Sequence, residues 1–217
     1  MTALRDWQTG EELLSAMAYF SNRGWTPATS SNFSFRSACH PGAFFVTKSG
    51  IDKGSASGVD FILVGEDGTI LSEPRDAVPS AESALHRLIY RQTSAGAVVH
   101  LHSVYSVIVS MGVPKNASAV SFAGLEILKG LGHATHDVEE IVPIFANSQD
   151  MDRLAGQIEE YWHRRLPAAM RAFLICGHGV YCWGKDVAEA RRVAEVLEYL
   201  FEWKVKGTAY DSLDHTR

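Results

Sequence analysis

The segment Ala97 to His102, Ala-Val-Val-His-Leu-His, constrains this chain more than any other. Lying between Gly96 and Ser103, it reads as a short, strongly apolar strand that other elements must cover. Side chains alternate across a strand, so His100 and His102 leave on the same face. That is how an H-x-H pair clamps one metal ion. Two polar residues closing a strand would look the same in isolation.

The surrounding pattern alternates helices and strands without a regular βαβ period. A helix is expected from Thr9, where Glu12 completes a capping box; Leu13, Leu14, Met17 and Phe20 share one face and Gly24 closes it. Pro27 to Ser37 begins as a Ser/Thr/Asn turn and becomes a strand at Phe33 and Phe35. Ala43 to Thr47 and Asp60 to Val64 are strands, the latter turning at Glu66-Asp67-Gly68 into a hairpin with Thr69 to Leu71. A helix starting near Pro79-Ser80 places Leu85, Leu88 and Ile89 inward and ends by Gly96. Another runs from Ser103 to Met111, stopped by Gly112 and Pro114. Gly124 to Gly130 is a turn or short helix, and Pro143 makes Glu140 to Phe145 read as an edge strand. Gln149 to Arg165 is helical, Ala172 to Cys176 is a buried strand, and Val180 to Trp183 continues the sheet. The last helix opens on a capping box, Asp186 to Glu189, and buries Val187, Ala190, Val193, Ala194, Leu197, Leu200 and Phe201. The tail from 207 to 217 is polar and expected to fray. With no repeat or linker, the reading is one α/β domain over 1–217, core about 11–205. It has three layers, a central mixed, mainly antiparallel sheet flanked by helices.

Composition narrows the function. The 217 residues are 46% hydrophobic and 21% charged, as in an ordinary globular protein. Twenty Lys and Arg against 25 Asp and Glu leave a net charge of −5 without a basic cluster, which argues against a nucleic-acid partner. No stretch approaches the roughly 18 apolar residues of a membrane span, and the polar Met1 to Gly10 is no signal peptide. Three cysteines without zinc-finger spacing point to a reducing cytoplasm. The nine histidines carry the rest.

Catalytic zinc usually keeps three protein ligands and one open position. His178, after the buried run Phe173 to Cys176 and between Gly177 and Gly179, is the best third ligand. His86 lies on the helix of Glu82 and either supports a ligand or faces solvent. His133 and His136 sit in a loop, and His40, His163 and His215 have no informative context. Two glutamates compete for acid/base work. Glu82 stands in the first turn of a helix, where a carboxylate also serves the helix dipole. Glu126 lies between Gly124 and Gly130 in an apolar setting; burial there would raise its pKa, while exposure would pair it with Lys129. Short polar turns, Thr29 to Ser34 and Lys48 to Gly50, with Ser80 at a helix start, are what a phosphate monoester needs. There is no Walker loop, dinucleotide fingerprint or nucleophile elbow.

In order, these features resemble the class II aldolase/adducin family over about Glu11 to Val205. The segments that carry the resemblance are Gly24-Trp25-Thr26-Pro27-Ala28-Thr29-Ser30, Ser49-Gly50-Ile51-Asp52-Lys53, His100-Leu101-His102-Ser103, Leu125 to Leu131, and His178-Gly179-Val180-Tyr181-Cys182-Trp183-Gly184. The resemblance implies one zinc ion per subunit on His100, His102 and His178, and a phosphorylated sugar substrate. It implies that Glu126 is the acid/base of a dehydratase, while Glu82 stands where the aldolases carry theirs. Ser30, Asn32, Ser49, Gly50 and Ser80 match positions that grip phosphate, and tetramers are common among relatives. One departure is Ser31, where many relatives have glycine; it makes that turn's backbone the least secure part of the phosphate site. The alternatives are a sugar-phosphate aldolase or epimerase acting through Glu82, and a metal-free scaffold.

Overall fold

A computed structural model describes residues 2–72, 78–113, 118–164 and 170–214, with side chains to 208. Pro114, Arg165 and His215 lie outside the described residues. Eight strands form one sheet: β1 Asn32–Arg36, β2 Ala43–Thr47, β3 Phe61–Gly65, β4 Ala97–Leu101, β5 Ala119–Ala123, β6 Glu139–Phe145, β7 Ala172–Ile175 and β8 Gly179–Gly184. Their order across the sheet is β3-β2-β1-β4-β8-β7-β6-β5, and only β6 and β7 run parallel. The expected mixed, mainly antiparallel sheet is therefore what forms. Helices α1 (Thr2–Asn22), α3 (Val104–Gly112) and α5 (Val187–Asp214) cover one face, and α2 (Ser83–Gln92) and α4 (Met151–Arg164) the other.

Strand alternation divides the core in two. From β4, Ala97, Val99 and Leu101 enter the core beneath α1 and α5, while Val98 enters the core beneath α2 and α4. From β8, Val180 and Cys182 go to the first side and Tyr181 and Trp183 to the second. His100 follows Val98, so it faces the α2 side and is fully buried.

Four elements differ from expectation. Helix α1 begins at Thr2, two turns before Thr9, because Asp6 is buried against the turn after β1. It accepts hydrogen bonds from Ser37 Oγ at 2.7 Å and the Ala38 amide at 2.5 Å. Helix α5 runs through Gly207 to Asp214. Strand β5 is not foreseen in the sequence, although its Val120 and Phe122 alternate inward. Strand β6 is interior, not an edge. The Ile144 amide bonds Ser118 O on the β5 side, so the missing N–H of Pro143 falls on the β7 side, ahead of the β6–β7 pairing that begins at Ile144. The hairpin after β3 closes as a tight turn with one bridge, Val64 to Ile70.

Candidate metal centre

Three adjacent strands set the floor of the site. Register pairs Asn32 of β1 with His100 of β4, and His100 with Tyr181 of β8. The three side chains stand abreast on the α2 face, the Tyr181 ring stacked on the His100 ring at 3.9 Å and 10°. His102 follows one turn of the pleat later. His178 arrives from the β7–β8 turn, where the flanking glycines do different work. Gly177 takes φ +66°, which the turn requires. Gly179 lies where a Cβ would come within 2.1 Å of the Leu101 carbonyl, so only glycine lets β8 start against the end of β4. Glu82, immediately before α2, closes the group from above.

His100, His102, His178 and Glu82 each offer one ligand atom, and these atoms lie within 4.8 Å of one another. His100 Nε2 is 2.8 Å from His102 Nε2, and Glu82 lies 3.3 Å from His100 Nε2 and 3.0 Å from His178 Nε2. Nδ1 of His100 donates to Val180 O at 3.0 Å, which leaves its Nε2 lone pair facing the group. Burial holds His100 well below the ordinary imidazole pKa and brings His102 to about 4, so both are neutral, the form that binds metal. Burial alone would raise the Glu82 carboxyl. The His178 hydrogen bond, the electrostatic influence of the surrounding imidazoles and the Asn32 bond outweigh it and hold the carboxyl far below the usual range. Three imidazoles and one carboxylate are a donor set able to hold a metal ion.

Glu82 is itself held by a buried chain of hydrogen bonds. Asn32 Nδ2 donates to Glu82 and, at 3.2 Å, to Ser80 Oγ, so Asn32 Oδ1 must accept, and its partner is His86 Nε2. His86 Nδ1 then accepts from Ser34 Oγ at 2.6 Å, and Ser34 accepts from Tyr90 at 2.8 Å. Burial pushes His86 down to about 3, so its ring stays neutral. From β8, Tyr181 donates to Glu82 at 3.0 Å; burial and the carboxylate push its hydroxyl well above 10.

The remaining expectations divide. Asn32, expected in the phosphate turn, is 2% exposed and its amide is spent on Glu82, Ser80 and His86, so its side chain serves Glu82. Ser30 Oγ turns back on Pro27 O at 2.6 Å, Ser49 N bonds Val78 O, and Ser80 Oγ accepts from Asn32. Ser31 takes φ +71°, the left-handed backbone that glycine fits, at a cost of roughly 1–2 kcal/mol. Glu126 is not buried as one reading required. Its side chain is 69% exposed, bonded to Lys129 at 2.6 Å and His136 at 3.2 Å, and Lys129 lowers its pKa. It lies outside the four-residue group. No other described histidine joins that group; His133, for example, pairs with Glu140 at 2.7 Å. The parts Tyr181, Ser34 and Tyr90 play in holding Glu82 are not foreseen in the sequence, where Ser34 stands only in a polar turn and Tyr181 only in a segment of family resemblance. Period-two alternation on β1 and β8, counted from Asn32 and from His100's strand partner, is the signal that would find the first two.

Fold and site together define a class. The profile of the Class II Aldolase and Adducin N-terminal domain matches residues 11–205, and the chain belongs to that family. Two relatives are methylthioribulose-1-phosphate dehydratases. That of Serratia proteamaculans is 41% identical over 196 residues, covering 89% of this chain and 92% of its own; that of Methylococcus capsulatus is 43% identical over 197 residues, covering 90% and 92%. Among solved structures, the l-fuculose-1-phosphate aldolase of Thermus thermophilus superposes with a TM-score of 0.73 at 25% identity. The match covers 95% of this chain and 98% of that one.

Proposed function

We propose that the chain removes water from 5-methylthioribulose 1-phosphate to give 2,3-diketo-5-methylthiopentyl 1-phosphate, a step of methionine salvage, with one zinc ion held by His100, His102 and His178. The observation that carries this reading is the convergence of three imidazoles and one carboxylate, in a chain whose relatives bear that activity in their name. His100, His102 and His178 would hold the ion, which would supply Lewis acidity toward the C2 carbonyl. Glu82, set among the imidazoles and aimed by Asn32 and Tyr181, takes the C3 proton. Departure of the C4 hydroxyl needs a proton, and the resemblance of the Leu125 to Leu131 segment assigns its delivery to Glu126, although that carboxyl as folded is exposed and paired with Lys129. One water leaves, and the enol that remains tautomerises to the second ketone. Ser30, Ser49, Gly50 and Ser80 form the phosphate grip in this reading, with Asn32 contributing through its backbone because its side chain is taken up by Glu82, Ser80 and His86.

The same site suits a sugar-phosphate aldolase, and Glu82's place inside the group favours that second reading; the Leu125 to Leu131 segment favours the dehydratase. Diketone formation and C–C cleavage assayed side by side on the purified protein decide between them. E126Q and E82Q are each expected to lower dehydration by about 10²–10⁴-fold. Intact dehydration in E126Q alongside its loss in E82Q overturns this division of roles between the two glutamates. The reading places the enzyme in the cytoplasm as a homo-oligomer, a tetramer by family resemblance. Support comes from three free cysteines and from Tyr199 and Trp203, which leave apolar surface exposed on α5. No described helix is long and apolar enough to cross a membrane.

A further inference from the structure

Lys53 is 1% exposed, an unusual place for an ammonium. Its Nζ donates to Thr29 O at 3.2 Å and Ile51 O at 2.9 Å. Thr29 lies just before β1 and Ile51 just after β2. These strands are antiparallel, so both turns meet at one end of the sheet, the end that carries Asn32 and Glu82. Both turns use left-handed backbone: Ala28 at φ +54° and Ser31 at φ +71° bracket Thr29, and Gly50 at φ +73° precedes Ile51. Ser31 is 8% exposed, and its hydroxyl has no hydrogen-bond partner. Burial lowers the pKa of Lys53, against the opposing charges of Asp52, Asp60 and Glu82. A neutral donor would tie two carbonyls at less cost in desolvation than a buried charge. A dianionic ligand alongside offsets that cost.

We propose that Lys53 is the positioning residue of the phosphate subsite: it clamps the Thr29 and Ile51 carbonyls, sets the spacing of the two turns, and supplies the positive charge a phosphate monoester meets there. The proposal deepens the dehydratase reading and rests on it for the substrate's phosphate. It would let a chain of net charge −5 bind an anion, because the charge that matters is local.

Inorganic phosphate is the probe, its affinity read from thermal shifts of the metal-loaded and chelator-treated protein. K53M is expected to weaken phosphate binding about 10- to 100-fold, as loss of a charge-assisted contact implies. KM should rise in parallel, with kcat within about threefold and metal content unchanged. K53Q, which keeps an N–H donor one bond short of the ammonium but not its charge, should fall between. Phosphate affinity in K53M within twofold of wild type overturns the proposal; should K53M not fold, K53Q decides by the same criterion. Wild-type protein that binds no phosphate overturns it as well. Wild-type protein that binds phosphate but does not dehydrate the methylthio sugar overturns the dehydratase reading instead, and the Lys53 comparison still stands on phosphate binding.

Discussion

His86 is not one of the four residues of the donor group, yet it closes the line from Tyr90 through Ser34 and Asn32 to Glu82. Its tautomer follows from the donors around it, and its depressed pKa keeps the ring neutral throughout the physiological range. Replacing it by leucine keeps the volume apolar but leaves Asn32 Oδ1 without a donor, free to let the amide turn from Glu82. H86L is therefore expected to lose about 10–100-fold in kcat with the metal retained, checked by turnover and metal analysis of the same preparation. Much of the residue scale is legible in the sequence. Strand alternation, paired glycines and a helix start single out His100, His102, His178 and Glu82, and they meet. His86 stays open between support and surface, because burial of a helix face is decided by what packs on it. Glu126 stays open between two readings for a related reason: apolar neighbours in sequence do not bury it, and it pairs with Lys129 as the other reading had it.

On α5, Glu198 is buried at 2% exposure in the middle of an otherwise apolar stripe. Burial raises its carboxyl from 4.5 to about 7, with Glu202 adding to the rise and Ser103 opposing it. A carboxyl raised in the fold is protonated there while the unfolded chain is ionised. Stability is thus lost as pH climbs from about 4.5 to about 7, and it stays lost above. E198Q removes that dependence. Denaturant titrations across this range should show a flatter profile and a gain on the order of 1–3 kcal/mol above neutral pH. Element boundaries are legible where local signals are strong, as at Asp186, whose carboxylate accepts from the Glu189 amide at 2.8 Å. They are obscure where tertiary contact extends or creates an element. Asp6 lengthens α1 by reaching the turn after β1, and β5 exists because β6 is there to pair with it.

For the whole molecule, a metal ion that binds the folded site and not the unfolded chain adds stability by mass action. Chelation should lower the melting temperature by roughly 5–10 °C, the equivalent of about 2.7 kcal/mol at a hundredfold excess of ion over its dissociation constant. Calorimetry with and without chelator measures it, and H178A should abolish the difference. The sequence by itself determined a mixed α/β sheet under helices, the face on which His100 and His102 emerge, and which histidine would join them. Those follow from backbone periodicity and from glycines where a side chain cannot fit, and such rules act within a few residues. Only the tertiary structure decided that Asn32, His100 and Tyr181 stand abreast, that Glu126 faces solvent, and that Lys53 joins two turns distant along the chain. Register between strands and burial of a side chain are properties of the partner as much as of the residue, and the partner is set by the packing of the whole chain.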